Sequence, residues 1–137
     1  MTLKVQDVPL QYVNQIWPFV EHFIDAALNF SQGDYTVRDA RVYITNGQWS
    51  LIIAVDDADV VHGAAVVTYF NRPAQRIGFI VAAGGKFIVK QDTWDQLEAI
   101  MRANGATYLE CAVRDSMARL CALRGTERKY SIVGKNL

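Results

Sequence analysis

The chain has 137 residues, 51% of them apolar, enough to bury a core without disulfide or metal staples. Its 14 Lys and Arg balance its 14 Asp and Glu, so it lacks the strong overall field by which a domain is drawn to nucleic acid or an anionic membrane. No stretch approaches the roughly 18 apolar residues of a membrane-spanning helix, and Met1-Thr2-Leu3-Lys4 has neither the apolar segment nor the cleavage site of a signal peptide. The expectation is a single domain over 1–137, made and kept in a cytosol. Charge is uneven along it. From Ala112 onward six basic residues (Arg114, Arg119, Arg124, Arg128, Lys129, Lys135) face two acids (Asp115, Glu127), which reads as a solvated basic face. Cys111 and Cys121 show no CxxC or Cys/His spacing and read as free core thiols, with no zinc.

Leu3, Val5 and Val8 among polar residues predict a short first strand ending at Pro9. A helical stripe follows in Val13, Ile16, Trp17, Val20, Ile24 and Ala27, at steps of three and four. Pro18 either opens that helix or kinks it, and Ser31-Gln32-Gly33-Asp34 closes it. Thr36 predicts the N-cap of a second helix carrying Val37, Ala40 and Ile44, stopped by Asn46-Gly47. Three apolar runs, Trp49 to Val55, Val60 to Phe70 and Ile77 to Ala83, predict an antiparallel meander. Asp56-Asp57-Ala58-Asp59 joins the first pair and Asn71 to Gln75 the second; the aspartates lack the glycine and closing glutamate of a calcium loop. Thr93 with Gln96 predicts a capping box ahead of a helix carrying Trp94, Leu97, Ile100 and Met101, ended by Asn104-Gly105. A strand over Thr107 to Val113, a helix over Ser116 to Leu123 stopped at Gly125, and a last strand over Arg128 to Val133 complete the chain.

The sum, β-α-α-β-β-β-α-β-α-β, predicts an α/β (α+β) fold: a mixed, mostly antiparallel sheet flanked by helices. That succession resembles the GNAT acetyltransferase superfamily. The family motif N-x-x-A-x-x-L-Y-x-x-x-G-F is matched at Ala118, Leu120 and Gly125, while Asp115, Cys121 and Thr126 replace its asparagine, tyrosine and phenylalanine. The resemblance implies a glycine-rich loop whose backbone N–H groups hold the acyl-CoA pyrophosphate at a helix N-terminus. Lys86, Ile88 and Lys90 stand at those glycine positions, with Gly84-Gly85 just upstream as the raw material of a shifted nest.

A fuller resemblance, in Ile16-Trp17-Pro18, Gly47-Gln48-Trp49, Ala82-Ala83-Gly84-Gly85 and Trp94, is to small GNAT-like proteins of tailed bacteriophages. In those proteins Gly-Arg-x-Gly-Trp-x-Arg often stands where Val113 to Arg119 stand here, so that Arg114 and Arg119 match.

The lost glycines and the lost tyrosine together lead to the first expectation, a non-catalytic GNAT-fold protein of a phage virion or its assembly. It has no cofactor, sits in the virion or host cytoplasm, and contacts other virion proteins or copies of itself. Its surface anchors would come from Tyr69, Arg72, Phe87, Arg124 and Arg128, beside Tyr35 and Tyr43, wherever these tyrosines are not core. The alternative is an acyl-CoA-dependent N-acetyltransferase. Its cofactor, acetyl-CoA, would lie along Val81, Ala82, Ala83, Gly84, Gly85 and Lys86, with His62 and Cys121 as candidate catalytic groups. Cys121 is a weak donor on an apolar helix face, and His62 shows no orienting partner in the sequence; His22 reads as exposed. A third reading is a phage-encoded inhibitor of a host protein. None of the three invokes a metal, a membrane span or nucleic acid.

Overall fold

The computed structural model describes residues 2–31, 33–87 and 89–137; Met1, Gln32 and Ile88, each part of a reading above, lie outside the described residues. A five-stranded sheet runs in chain order: β1 Lys4–Asp7, β2 Ser50–Val55, β3 Val61–Arg72, β4 Gln75–Gly85 and β5 Tyr108–Cys111. β1 through β4 pair antiparallel, and β5 joins β4 in parallel. Four helices flank it: α1 Val13–Leu28, α2 Val37–Thr45, α3 Gln91–Ala103 and α4 Asp115–Ala122. Among the described residues no helix is long and apolar enough to cross a membrane.

The apolar run of β2 is buried throughout, and its pleat divides it between two cores. Leu51, Ile53 and Val55 face α1 and α2, with Val13, Trp17, Val20, Ile24, Leu28, Ala40 and Ile44. Ile52 and Ala54 face Phe87, Trp94, Leu97, Met101 and Cys121 on the other side. A strand buried on both faces must read as continuous hydrophobicity, and this one does. Each fully buried side chain of the α1 stripe contributes roughly 1.5–3 kcal/mol of apolar burial.

Pro18 neither starts α1 nor ends it; the helix runs from Val13 through it. Thr36 caps α2 as expected: its Oγ1 accepts from the Asp39 amide at 3.1 Å while the Asp39 carboxylate accepts from the Thr36 amide at 2.9 Å. The meander is tighter than predicted, since β3 and β4 extend to Arg72 and Gln75 and leave Pro73-Ala74 as the turn.

Two expectations are corrected. Thr93 and Gln96 form no capping box. α3 begins earlier, at Gln91, and the buried Thr93 hydroxyl donates to the carbonyls of Phe87 (2.7 Å) and Lys90 (3.0 Å). Gln96 reaches instead to β1, accepting from the Val5 amide and donating to the Leu3 carbonyl, both at 2.9 Å. An edge strand presents unpaired backbone groups, and one glutamine satisfies two of them here. The strand predicted over Arg128 to Val133 is not formed. Tyr130, Ile132 and Val133 are 66%, 83% and 90% exposed, so a β-prone sequence has no apolar surface there to bury against.

Gln96→Ala strands the Val5 N–H and the Leu3 C=O at once. A loss of about 1–3 kcal/mol is expected in a denaturant titration, with faster amide exchange at Val5.

Candidate functional site

A single extra residue shapes the site. In the β3–β4 ladder Val67 pairs with Ile80 and Val66 with Ala82, so Val81 is a β-bulge. The parallel ladder to β5 covers Ile77 to Ile80, opposite Tyr108 to Cys111, and stops at the residue before the bulge. From Val81 to Gly85 β4 continues alongside β3, while the chain beyond Cys111 turns away through Ala112–Arg114 into α4. The result is a fork. One arm is the backbone edge of Val81, Ala82, Ala83, Gly84 and Gly85, a row of amides suited to an extended ligand with amides of its own. Arg114 at the root of α4 lies 3.8 Å from the centroid of Phe30, just past α1, which joins elements on the two sides of the fork.

The two glycines at the end of β4 serve packing. A Cβ on Gly84 would collide with the carbonyl oxygen of Phe23 in α1, and one on Gly85, which has φ +76°, with the carbonyl oxygen of His62. The connection onward to α3 is strapped from the far end of the chain. Past α4, Arg124 donates to the Val89 carbonyl at 2.8 Å and to Gln91 Oε1 at 3.0 Å. Lys86 and Lys90 lie in the same connection.

His62 is not alone. Its Nε2 lies 2.8 Å from Asp56 Oδ2, and Asp56 Oδ1 accepts from the amides of Ala58 (2.8 Å) and Val60 (3.0 Å). The hydrogen bond from His62, with those from the two amides, holds the Asp56 carboxyl below the usual range. The pair staples the β2–β3 turn, where Asp59 adopts φ 62°. An aspartate opening a turn bonds the amides two and four residues on, the one signal by which sequence reading finds Asp56. Cys121 is 1% exposed, in the core under α4, and Cys111 packs against the same cluster.

The surface candidates scatter. Phe87 is 1% exposed and belongs to the core. Tyr69 packs against the same core, its hydroxyl buried beside Asn104 without a well-formed hydrogen bond, and burial raises its pKa. Tyr35 meets Trp49 edge to face and Tyr43 lies tilted against the same ring. Arg128 pairs with Asp115 at 2.9 Å on the surface. Arg72 makes a two-pronged ion pair with Glu110 of β5, one prong at 3.0 Å, and Lys129 joins Glu110 at 2.7 Å. Arg72 foremost, then Lys129, hold the Glu110 carboxyl down at about 2.

No family of known sequences matches the chain, and none of the curated proteins matches it in sequence. Solved structures do match in shape. An aminoglycoside acetyltransferase from an uncultured soil metagenomic sample, in complex with sisomicin, superposes with a TM-score of 0.71 at 7% identity over 98% of this chain and 96% of that one. A ribosomal-protein-alanine N-acetyltransferase from Brucella melitensis gives 0.68 at 11% identity over 99% of both. A predicted acetyltransferase from Clostridium acetobutylicum, with acetyl-CoA, gives 0.64 at 9% over 98% and 96%. The fold is GNAT-like. These likenesses correct the expectation of a non-catalytic virion component: structures that share the fold are acetyltransferases by name, and nothing ties the chain to a bacteriophage particle.

Two outcomes check this geometry. Gly84→Ala forces α1 and β4 apart at Phe23, and a destabilisation of about 2 kcal/mol or more is expected in thermal melts. Glu110 has a depressed folded pKa, so its contribution is complete above the unfolded value near ~4.3 and lost as pH falls toward ~2. Glu110→Gln is therefore expected to cost about 1–2 kcal/mol at neutral pH after solvent screening, with the gap to wild type closing between those pH values in urea titrations.

Proposed function

We propose that this chain, acting over 1–137 as one domain, is an acyl-CoA-dependent N-acetyltransferase that holds acetyl-CoA in the fork between β4 and β5. The observation that carries the reading is the bulge at Val81, past which β4 keeps its pairing with β3 but no longer pairs with β5, leaving Val81 to Gly85 as a strand edge. Peptide-like backbone along that edge suits the amides of a pantetheine arm. Bound acetyl-CoA supplies a thioester whose acyl carbon an amine attacks, forming C–N, breaking C–S and releasing the CoA thiolate.

The chain's own part is mainly positioning. Strand backbone orients the thioester, and holding two reactants in register lowers the barrier without a covalent intermediate on the protein. His62 is engaged in the Asp56 turn and Cys121 is sealed in the core, so neither is assigned acid or base work. The amine therefore reacts in its neutral form, and the rate rises with pH toward the pKa of the amine.

The pyrophosphate end departs from the family. Lys86, Ile88 and Lys90 occupy the family's glycine positions, and Gly84-Gly85 is used in packing, so a glycine nest is replaced by charge from Lys86 and Lys90 on a connection strapped by Arg124. This resembles the family's acyl-CoA loop in place and not in chemistry.

Calorimetric titration with acetyl-CoA and with CoA, beside a thermal-shift scan, tests the reading. Binding of micromolar order with matching stabilisation is expected, and Arg124→Ala weakens it by about tenfold, or ~1.4 kcal/mol, with the fold retained. No heat and no shift up to about millimolar cofactor overturn it.

A further inference from the structure

The acyl-transfer reading gives no work to Arg114. It stands three residues past Cys111, where the β4–β5 ladder ends, and directly ahead of α4. Its guanidinium carbon lies 3.8 Å from the ring centroid of Phe30, two residues past α1. α1 is itself set against β4, where Gly84 meets the Phe23 backbone. The contact therefore crosses from the β4 side of the fork to the β5 side. Three other arginines lie over aromatic rings, at 5.3 to 5.5 Å, and each also donates hydrogen bonds: Arg41 to Asn14, Arg72 to Glu110, and Arg76 to Asn71 and the Asn104 carbonyl. Arg114 is closest to its ring, and among the described residues its guanidinium donates to no acceptor. Asp115, the acid beside it in sequence, is taken by Arg128 at 2.9 Å. An arginine that stacks by its face keeps its N–H donors at the edge of the plane. Arg114 and Phe30 are both exposed, so those donors are open to a ligand.

We propose that Arg114 selects the acceptor, binding the carboxylate of a small amino acid whose amine is acetylated. This selection rests on the acyl-transfer reading and names the substrate class of the same fork. A guanidinium takes a carboxylate through two parallel N–H···O bonds, a geometry that lysine does not reproduce. The Phe30 ring holds the plane of the guanidinium, so less side-chain freedom is lost when the carboxylate arrives. Distance sets the size of the acceptor. Three residues span at most about 10 Å, so a carboxylate at Arg114 and an amine at the end of the ladder belong to one small molecule. Charge sets its sign. Arg119 follows on α4, and Lys86 and Lys90 lie on the connection past β4, so a polycationic amine meets like charge while a carboxylate meets its opposite. The neutral amine attacks the thioester carbon: C–N forms, C–S breaks, the amine proton passes to water and CoA leaves as the thiolate.

The test follows release of the CoA thiol from acetyl-CoA with a panel of amino acids, each beside its decarboxylated amine, and with phosphoethanolamine, the rates being taken per neutral amine. Amino acids are expected to be favoured by at least about tenfold in kcat/KM. Arg114→Gln brings each pair to within about twofold, the loss falling in the KM of the amino acid. Arg114→Lys recovers only part of the preference, because it restores charge without the two-pronged geometry. Arg119→Gln, further along α4, keeps the preference. Thermal melts confirm that each variant is folded, and titration with acetyl-CoA separates the two ways of failing. A wild-type chain that binds no acetyl-CoA sinks the acyl-transfer reading and this selection with it. A wild-type chain that binds acetyl-CoA overturns the selection alone if it uses decarboxylated amines equally well, prefers phosphoethanolamine, acetylates no amino acid, or keeps its preference in Arg114→Gln.

Discussion

The parallel ladder between β4 and β5 lasts four residue pairs because Val81 is one residue too many for the register of β3. An inserted residue locally adds twist and re-aims a strand. Past Val81 the two strands diverge and cannot both keep their hydrogen bonds. Everything at that end of the molecule follows: the open edge of β4, the departure of the chain at Ala112 into α4, and the need for other contacts to hold β5 where four pairs alone hold it weakly. The same bulge places Val81 and Ala82 toward the α1 side and returns Ala83 to the α3 side, so the apolar residues still reach their cores.

Those other contacts lie at the closed end of the fork. Glu110, in the middle of β5, is gripped by Arg72 from the end of β3 and by Lys129 from the chain beyond α4. Ion pairs on a surface contribute little singly. This one is two-pronged, partly covered and shared by three segments, which is the setting in which such pairs hold geometry. Aliphatic and aromatic packing fixes the sheet, while charge pins one of its two shortest strands. On the opposite face the Gly84–Phe23 approach sets α1 directly against β4, backbone to backbone, so helix position and strand position are one variable.

The order of elements through α4 was legible because the signals were local: the period of α1, the Thr36 N-cap, the Asn-Gly stops, and the continuous apolar run of β2. What was not legible depends on register or on distance in sequence. Val81 looks like any strand valine, and only its pairing with β3 makes it a bulge. Gln96 sits three after Thr93 as a capping box requires, but β1, about 90 residues away (|i−j| of 91 and 93), made the stronger claim on it. Arg128 to Val133 reads as a strand by composition, and composition does not supply a surface. In the site, His62 shows no orienting partner in the sequence because Asp56 looks like ordinary turn chemistry, and only the fold brings the two within 2.8 Å. The weight placed on the missing glycines and tyrosine led to a structural protein, and the shared shape with acetyltransferases outweighs it.

The strap from Arg124 spans 35 residues to Val89 and 33 to Gln91. On a chain made from its N-terminus, β4, its connection and α3 all emerge before Arg124 does. The sheet can pair through β4, and α3 can dock on β1 through Gln96, while the connection between them still lacks its tie. Contacts of high sequence separation form late, after the loop between them has been closed at an entropic cost. The stretch carrying Lys86 and Lys90 thus gains its Arg124 tie late, and a nascent chain has a sheet before it has a finished fork.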